Sequence, residues 1–282
     1  MAAWWCPLMR LISGSARLAG VTGWPVAHSR SPRIHNTWLA RHGIDGAYVP
    51  LPIRPDDFPS VIPALAKAGF AGVNVTIPHK EAAFAICVKV DDFARRAGAV
   101  NTLIFTPHGI EGSNTDGYGF VANLRHHGVK PAAGPVLILG AGGAARGIGA
   151  ALQDEGAEIT ITNRTPERAA ALAAALPPAK VLPWEQREDA LGDYALLINT
   201  TSLGMVHEPP LPMNLDRAAP GLAVADIIFA PLETQLLADA KARGLKPVEG
   251  LGMLLHQAVP GFSAWFGVTP EVDEALYRIV AA

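Results

Sequence analysis

Residues 136–145, VLILGAGGAA, run from four apolar residues through a glycine turn into small residues. This order predicts a buried strand, a phosphate-binding turn and a helix whose N-terminus offers free N–H groups to phosphate. Gly140 permits the tight turn, Gly142 lets the backbone approach a pyrophosphate, and Ala145 takes the third small position, where helix packs on strand. A glycine turn with a purely structural role fits the same residues. The candidate phosphate-binding residues are Gly140, Ala141, Gly142, Gly143 and Ala144.

The next predicted strand bears on the choice of dinucleotide. It covers residues 157–162 and leads into Asn163-Arg164-Thr165. About 20 residues past the glycine turn, an NAD-binding domain has a carboxylate for the ribose 2′-hydroxyl. Arg164 stands there instead, Arg168 follows one helical turn later, and two guanidinium groups can hold a 2′-phosphate. NADP is therefore the predicted cofactor, and its candidate contacts here are Asn163, Arg164, Thr165 and Arg168. Both arginines could also be ordinary surface residues.

The composition limits the classes of function. The 282 residues suffice for two modest domains, and a net charge of −2 gives no electrostatic case for nucleic acid or an anionic membrane. No apolar run reaches the ~18 residues of a membrane span. The two cysteines offer no disulfide framework, and the nine histidines show no metal-ligand spacing. We expect a cytoplasmic protein with a small-molecule substrate and no metal, while the oligomeric state, a homodimer included, stays open.

Hydrophobic periodicity predicts alternating strands and helices. In the first half, strands are predicted over 19–23, 47–51 and 72–77, and helices over 31–42, 56–68, 80–88, 91–97 and 112–127. In the second half, strands are predicted over 136–139, 157–162, 195–198 and 223–228. Helices are predicted from after residue 164 to 176, over 234–242, and as a pair running from 250 to 280. The βαβ rhythm predicts a largely parallel sheet in the first unit and a two-domain α/β protein with a cleft between the sheets.

Polar residues follow the predicted strands of the first unit, where an α/β sheet faces its ligand. They are Ser29, Ser31, Thr76, Lys80, Asn101 and Asp116. A lysine beside a carboxylate can pass a proton to and from an alcohol–ketone pair, so Lys80 with Asp116 is the candidate catalytic pair. Each residue also has an ordinary structural explanation, such as a helix cap for Ser31, a turn for Asn101 or a surface charge for Lys80.

Seven motifs, in this order, resemble the shikimate dehydrogenase family. They are residues 28–32 (HSRSP), 74–80 (NVTIPHK), 98–102 (GAVNT), 114–117 (NTDG), the glycine turn, 163–165 (NRT) and 250–257 (GLGMLLHQ). The resemblance covers about residue 18 to the C-terminus. It implies an N-terminal extension over 1–17, a substrate-binding α/β domain over 18–115, an NADP-binding Rossmann-like domain over 116–249 and C-terminal helices over 250–282 that return to the substrate domain.

The resemblance also implies an activity, the reversible NADP-dependent reduction of 3-dehydroshikimate to shikimate in aromatic amino-acid biosynthesis. By this likeness Ser29 and Ser31 bind the substrate carboxylate, and Lys80 carries the proton. The ring hydroxyls and the reacting centre are assigned to Thr76, Asn101, Asp116 and Gln257. The nicotinamide end of the cofactor is assigned to Ile227, Gly250 and Asp92.

One position departs from the family pattern. Phe229 stands where many members have a tyrosine, which puts one substrate contact in doubt. A quinate/shikimate dehydrogenase of broader specificity is therefore the alternative enzyme, although the two arginines argue against its NAD-using branch. A regulator that binds NADP without catalysis is an alternative of another class. Such a regulator would need the glycine turn but not the Lys80–Asp116 pair.

Overall fold

The computed structural model describes residues 11–282, so the first ten residues of the predicted N-terminal extension lie outside it. A six-stranded sheet forms the first unit. Its strands are β1 (Arg17–Gly23), β2 (Gly46–Pro52), β3 (Phe70–Val75), β4 (Lys89–Val90), β5 (Thr102–Thr106) and β6 (Gly109–Ser113). They lie in the order β2-β1-β3-β5-β6-β4, and β1 pairs in parallel with both β2 and β3. The three predicted strands of this unit are present, with ends shifted by one or two residues.

The two pairings of β5 correct the prediction of a largely parallel arrangement, whereas β4 and β6 again pair in parallel. β5 pairs antiparallel with β3 and with β6. Residues 112–113, predicted as the start of a helix, belong to β6 instead. The signal was a run of β-branched and aromatic residues over 102–106, followed by a turn in which Gly109 has φ +128°. A hairpin needs only this short turn, whereas parallel strands need a long crossover.

A second six-stranded sheet contains the glycine turn, and all its strands are parallel. They are β7 (Val136–Leu139), β8 (Ile159–Thr162), β9 (Lys180–Val181), β10 (Leu196–Asn199), β11 (Ala223–Asp226) and β12 (Lys246–Val248), in the order β12-β11-β10-β7-β8-β9. Val136 and Ile138 pack in the core on one face, and Leu137 and Leu139 in the core on the other. Burial on both faces explains the continuous apolar run that marks this strand in the sequence.

The helices cover the sheets and join them. They are α1 (Ser31–Arg41), α2 (Phe58–Lys67), α3 (Lys80–Ile86), α4 (Asp92–Ala97), α5 (Asp116–His126), α6 (Gly143–Asp154), α7 (Pro166–Ala175), α8 (Gln235–Ala242), α9 (Gly250–Phe266) and α10 (Glu274–Ala281). α5 packs against both α6 and α9. Glycines allow both approaches, because a Cβ on Gly117 would lie 2.7 Å from Ala151 Cβ and one on Gly119 would lie 2.6 Å from Gln257 Cβ. α5 therefore lies between the two units.

The last two helices pack on the first sheet, although they follow the last strand of the second. Leu251, Leu255 and Phe262 of α9 share one hydrophobic core with Ala19 and Val21 of β1. The carboxyl end of β1, the start of α5 and the start of α9 consequently meet in one region. This junction forms the cleft of the predicted two-domain α/β fold.

Candidate active site

Lys80 and Asp116 form an ion pair in the cleft. Each residue begins a helix, Lys80 that of α3 and Asp116 that of α5. Lys80 Nζ lies 2.6 Å from Asp116 Oδ2, and the two side chains are 30 % and 19 % exposed. A small molecule can therefore reach both groups while most of their surface is shielded from water. A charged pair in this position can exchange a proton with a bound hydroxyl or ketone.

Asn101 fixes the orientation of the Asp116 carboxylate. Its Nδ2 donates to Asp116 Oδ1 at 2.8 Å. Its own Oδ1 accepts from the backbone N–H of Thr115 at 2.9 Å and from Thr102 Oγ1 at 3.0 Å, so a flipped amide would lose both bonds. Thr115 Oγ1 in turn donates to the backbone carbonyl of Gln257 at 2.8 Å. The network thus connects the ion pair to β5 and to α9.

A cavity of about 200 Å³ opens beside this pair. It is lined by all the residues predicted to contact the substrate, namely Ser29, Ser31, Thr76, Lys80, Asn101, Asp116, Phe229 and Gln257. Ile227 and Gly250, predicted at the nicotinamide end of the cofactor, line the same cavity. Residues spread over most of the chain are therefore gathered around one cavity between the two sheets.

The cavity is also lined by residues for which no role was predicted. They are Val21, His28, Arg30, Asn74, Val75, Met253 and Leu254. Asn74 is buried, accepts from the Tyr48 hydroxyl at 2.6 Å and donates to Thr102 Oγ1 at 3.0 Å. Burial raises the pKa of Tyr48, so its hydroxyl keeps its proton and stays a donor. The alternation of a strand could have revealed Asn74, because it lies two residues before Thr76 and so on the same face.

A second cavity, of about 170 Å³, lies at the glycine turn. It is lined by the predicted residues Gly140, Ala141, Gly142, Asn163 and Arg164, and also by Trp184, Thr200 and Thr201, which the sequence did not suggest. Gly140 has φ +109°, and a Cβ there would lie 2.6 Å from Thr200 Oγ1, so only glycine fits. Gly142 is the N-cap of α6, where unpaired N–H groups and the helix dipole favour an anion.

The structure divides the remaining predicted cofactor residues. Arg164 is exposed, and among residues 11–282 its side chain has no ion-pair partner, so its guanidinium is available to a ligand. Arg168 is exposed on α7 and does not line the cavity. Gly143, Ala144 and Thr165 flank the cavity at the starts of α6 and α7 without lining it. Arg164 is thus better placed than Arg168 for a 2′-phosphate.

Comparison with known proteins gives the family. Three family models match: the shikimate dehydrogenase substrate binding domain over residues 21–103, shikimate / quinate 5-dehydrogenase over 126–207, and the shikimate 5′-dehydrogenase C-terminal domain over 250–276. A shikimate dehydrogenase (NADP(+)) of Acidiphilium cryptum is 71 % identical over 96 % of this chain and 98 % of its own length. The chain belongs to the shikimate dehydrogenase family.

Other relatives agree with this assignment. A shikimate dehydrogenase (NADP(+)) of Rhodospirillum rubrum is 54 % identical over 96 % of this chain and 99 % of its own length. The crystal structure of a Thermus thermophilus shikimate 5-dehydrogenase with NADP(H) and shikimate superposes with a TM-score of 0.85 at 37 % identity, covering 94 % of this chain and 98 % of that one. The predicted family and the two-domain α/β fold are therefore confirmed.

In this member of the family, a buried network holds the loop after β11 against the substrate cavity. Asp226 Oδ1 accepts from Asn199 Nδ2 and from the backbone N–H of Ile228, both at 3.1 Å, and its Oδ2 accepts from Thr234 Oγ1 at 2.8 Å. Burial raises the pKa of Asp226, and these hydrogen bonds offset part of the rise. A Cβ on Gly250 would lie 2.5 Å from the Ile227 carbonyl oxygen, so glycine is required where α9 meets this loop.

Asp92 is a further predicted cofactor residue that the structure does not bring to either cavity. It begins α4, its side chain is 88 % exposed, and it pairs with Arg95 at 2.5 Å. It lines neither the substrate cavity nor the cavity at the glycine turn.

Within residues 11–282, no helix is long and apolar enough to cross a membrane.

Proposed function

We propose that this chain catalyses the reversible, NADP-dependent reduction of 3-dehydroshikimate to shikimate. The observation that carries the proposal is the Lys80–Asp116 pair at 2.6 Å, oriented by Asn101 in a cavity that several other polar side chains also line. A ring with several hydroxyls needs many hydrogen-bonding partners, because each buried polar group left unpaired costs roughly 1–3 kcal/mol. The polar side chains around this cavity meet that need.

Each residue of the pair has a separate task. Lys80 Nζ donates a proton to the substrate oxygen as the ketone becomes an alcohol, and it takes the proton back in the reverse direction. Asp116 holds the ammonium group at 2.6 Å and supports its charge. Asn101 keeps the carboxylate turned towards the lysine. The hydroxyls of Ser29 and Ser31 lie in the same cavity and bind the substrate carboxylate.

The residues at the glycine turn fit a bound NADP. Gly140 and Gly142 leave room for the pyrophosphate at the N-terminus of α6, and Arg164 offers a guanidinium group for the 2′-phosphate. When bound, the cofactor supplies the hydride chemistry. Ile227 and Gly250, which line the substrate cavity, are the proposed contacts for its nicotinamide end.

A steady-state assay of four substrate–cofactor pairs tests the proposal: shikimate or quinate, each with NADP or NAD. We expect the highest kcat/KM with shikimate and NADP. A higher kcat/KM with quinate would overturn the narrow assignment and favour the broader quinate/shikimate dehydrogenase. The cavity gives that alternative one specific support, because Phe229 lines it without the hydroxyl found in many family members. An absence of turnover with every pair would favour the NADP-binding regulator.

Three organisational predictions accompany this function. We propose domain boundaries at 18–115 and 116–249, with the helices over 250–282 belonging to the substrate domain, because α9 packs into the core of the first sheet. We propose a cytoplasmic location, since the two cysteines of the sequence form no disulfide framework. A homodimer is the simplest closed assembly, and light scattering on the purified protein tests it.

A further inference from the structure

One cation in the substrate cavity has no acidic partner. Arg30 lines the cavity, together with the charged residues Lys80 and Asp116. Those two neutralise each other at 2.6 Å. Arg30 forms no ion pair with any acidic side chain of residues 11–282. Among the Lys, Arg, Asp and Glu side chains of residues 11–282 that line the cavity, Arg30 is therefore the one without a partner of opposite charge.

Two contacts hold the Arg30 guanidinium in place. Its Nη1 donates to the backbone carbonyl of Val280 at 3.0 Å, and its Cζ lies 5.9 Å from the centre of the Phe229 ring. A guanidinium has five N–H donors. The bond to Val280 uses one of them, so the others can bind an anion in the cavity. A side chain that is already held loses little conformational freedom when a ligand binds.

Arg30 lies at the N-terminus of α1, while its guanidinium is bonded to a carbonyl in the last turn of α10, whose partial negative charge favours a cation. Arg30 is the N-cap of α1, and its side chain forms no capping hydrogen bond. The N-terminus of a helix carries a partial positive charge, which favours an anion there. An anion beside Arg30 would be attracted by both the guanidinium and the helix terminus. Ser29 and Ser31, the neighbours of Arg30 in the sequence, line the same cavity and can donate hydroxyl hydrogen bonds to that anion.

We propose that Arg30 binds the carboxylate of the substrate and makes the enzyme select an anionic ring over a neutral one. Guanidinium and carboxylate groups match in geometry and form charge-assisted hydrogen bonds. Ser29 and Ser31 add neutral hydrogen bonds, whereas Arg30 adds the charge recognition that a hydroxyl lacks. This inference rests on the proposed function, because it identifies the carboxylate of shikimate as the anion.

The test compares shikimate with its methyl ester, which keeps the ring hydroxyls and lacks the negative charge. In Arg30→Gln, we expect the KM for shikimate to rise about tenfold to a hundredfold, the range for one lost charge-assisted contact. The KM for the ester should stay near the wild-type value. Arg33→Gln removes an exposed arginine of α1 outside the cavity and is the matched control, which should leave both KM values unchanged.

Further measurements separate charge recognition from a structural role. Arg30→Lys should give an intermediate KM for shikimate, because it keeps the charge and loses the planar fork. In the wild-type enzyme, added salt should raise the KM for shikimate more than that for the ester, since salt screens the attraction. A structural role would instead change both KM values together.

The outcomes distinguish this inference from the proposed function. Wild-type protein that does not turn over shikimate overturns both. Wild-type protein that turns over shikimate, combined with an unchanged ratio of the two KM values in Arg30→Gln, overturns the inference and leaves the proposed function standing. If the glutamine variant does not fold, the salt dependence of the wild-type enzyme decides: equal salt dependence for shikimate and its ester overturns the inference.

Discussion

Replacing Lys80 by methionine removes the proposed proton carrier while keeping a side chain of similar length. Lys80 Nζ donates to Asp116 Oδ2 at 2.6 Å, and this bond is lost in the variant. The carboxylate keeps its bond from Asn101 Nδ2 at 2.8 Å, and at 19 % exposure water can reach it. The substitution therefore leaves no fully buried, unpaired charge, and we expect the variant to fold.

The expected loss is in the chemical step. A positioned general acid–base group contributes roughly 10²–10⁴ in rate, which corresponds to about 2.7–5.5 kcal/mol of activation free energy. We expect kcat with shikimate and NADP to fall by this factor. The affinity for NADP should be unchanged, because Lys80 lines the substrate cavity and is absent from the lining of the cavity at the glycine turn.

The assay measures kcat from NADPH absorbance and the dissociation constant of NADPH by fluorescence titration. Lys67→Met, at an exposed position at the end of α2, is the matched control and should leave both values unchanged. Asp116→Asn should also lower kcat, and the double variant should lose less than the product of the two single effects, because the residues act as one unit. Wild-type turnover in Lys80→Met would refute the proton-carrier role.

Four other substitutions test the cofactor site, the substrate site and the stability of the fold in acid. Arg164→Ala should raise the KM for NADP about tenfold or more in steady-state kinetics, because a charge-assisted contact is lost, and Arg168→Ala should raise it less. An unchanged NADP-to-NAD preference in Arg164→Ala would contradict the 2′-phosphate assignment. Phe229→Tyr should lower the KM for shikimate a few-fold to about tenfold, the value of one neutral hydrogen bond, and a tenfold rise instead would show that the cavity is shaped around phenylalanine. Burial lowers the pKa of His35 from 6.5 to about 3. Between these two pH values the unfolded chain binds a proton at His35 and the folded chain does not, so the free energy of unfolding decreases as the pH falls from 6.5 towards 3. His35→Phe keeps a ring stacked on Tyr48. By chemical denaturation, the free energy of unfolding should differ between pH 7 and pH 5 by about 2 kcal/mol less in this variant than in the wild type. An unchanged difference would rule out His35 as its source.

Four of the six strands of the second sheet were predicted from the sequence, whereas β9 and β12 were not. The prediction was most accurate at β7, where burial and local turn chemistry agree. The apolar run at 136–139 is buried on both faces, and Gly140 has the positive φ that its turn requires. Local and global preferences point to the same structure, and the predicted strand has the observed ends. The hairpin of β5 and β6 was missed because no element was predicted over residues 102–111 and a helix was predicted to begin at residue 112.

The candidate site was predictable where its residues belong to short motifs, and not where its contacts are long-range. Lys80 and Asp116 lie in motifs that resemble those of the family, and they were predicted as a pair on that basis. The structure places them in contact. The bond from Arg30 to the Val280 carbonyl joins residues 250 positions apart, and no periodicity predicts such a pairing. Trp184 lines the cavity at the glycine turn from a short 3₁₀ helix, Trp184–Gln186, that carries no motif.

Alignment of the two cavities depends on residues that need not touch either ligand. Asn199 and Asp226 end the neighbouring strands β10 and β11 and are joined by a hydrogen bond of 3.1 Å. Asn199 Oδ1 accepts from Thr201 Oγ1 at 2.7 Å, and Thr201 lines the cavity at the glycine turn. Asp226 precedes Ile227, which lines the substrate cavity. Because hydride transfer requires the reacting groups to be held at close range and in the right orientation, a buried link between two strand ends that lie beside the two cavities supports the relative placement of the two ligands.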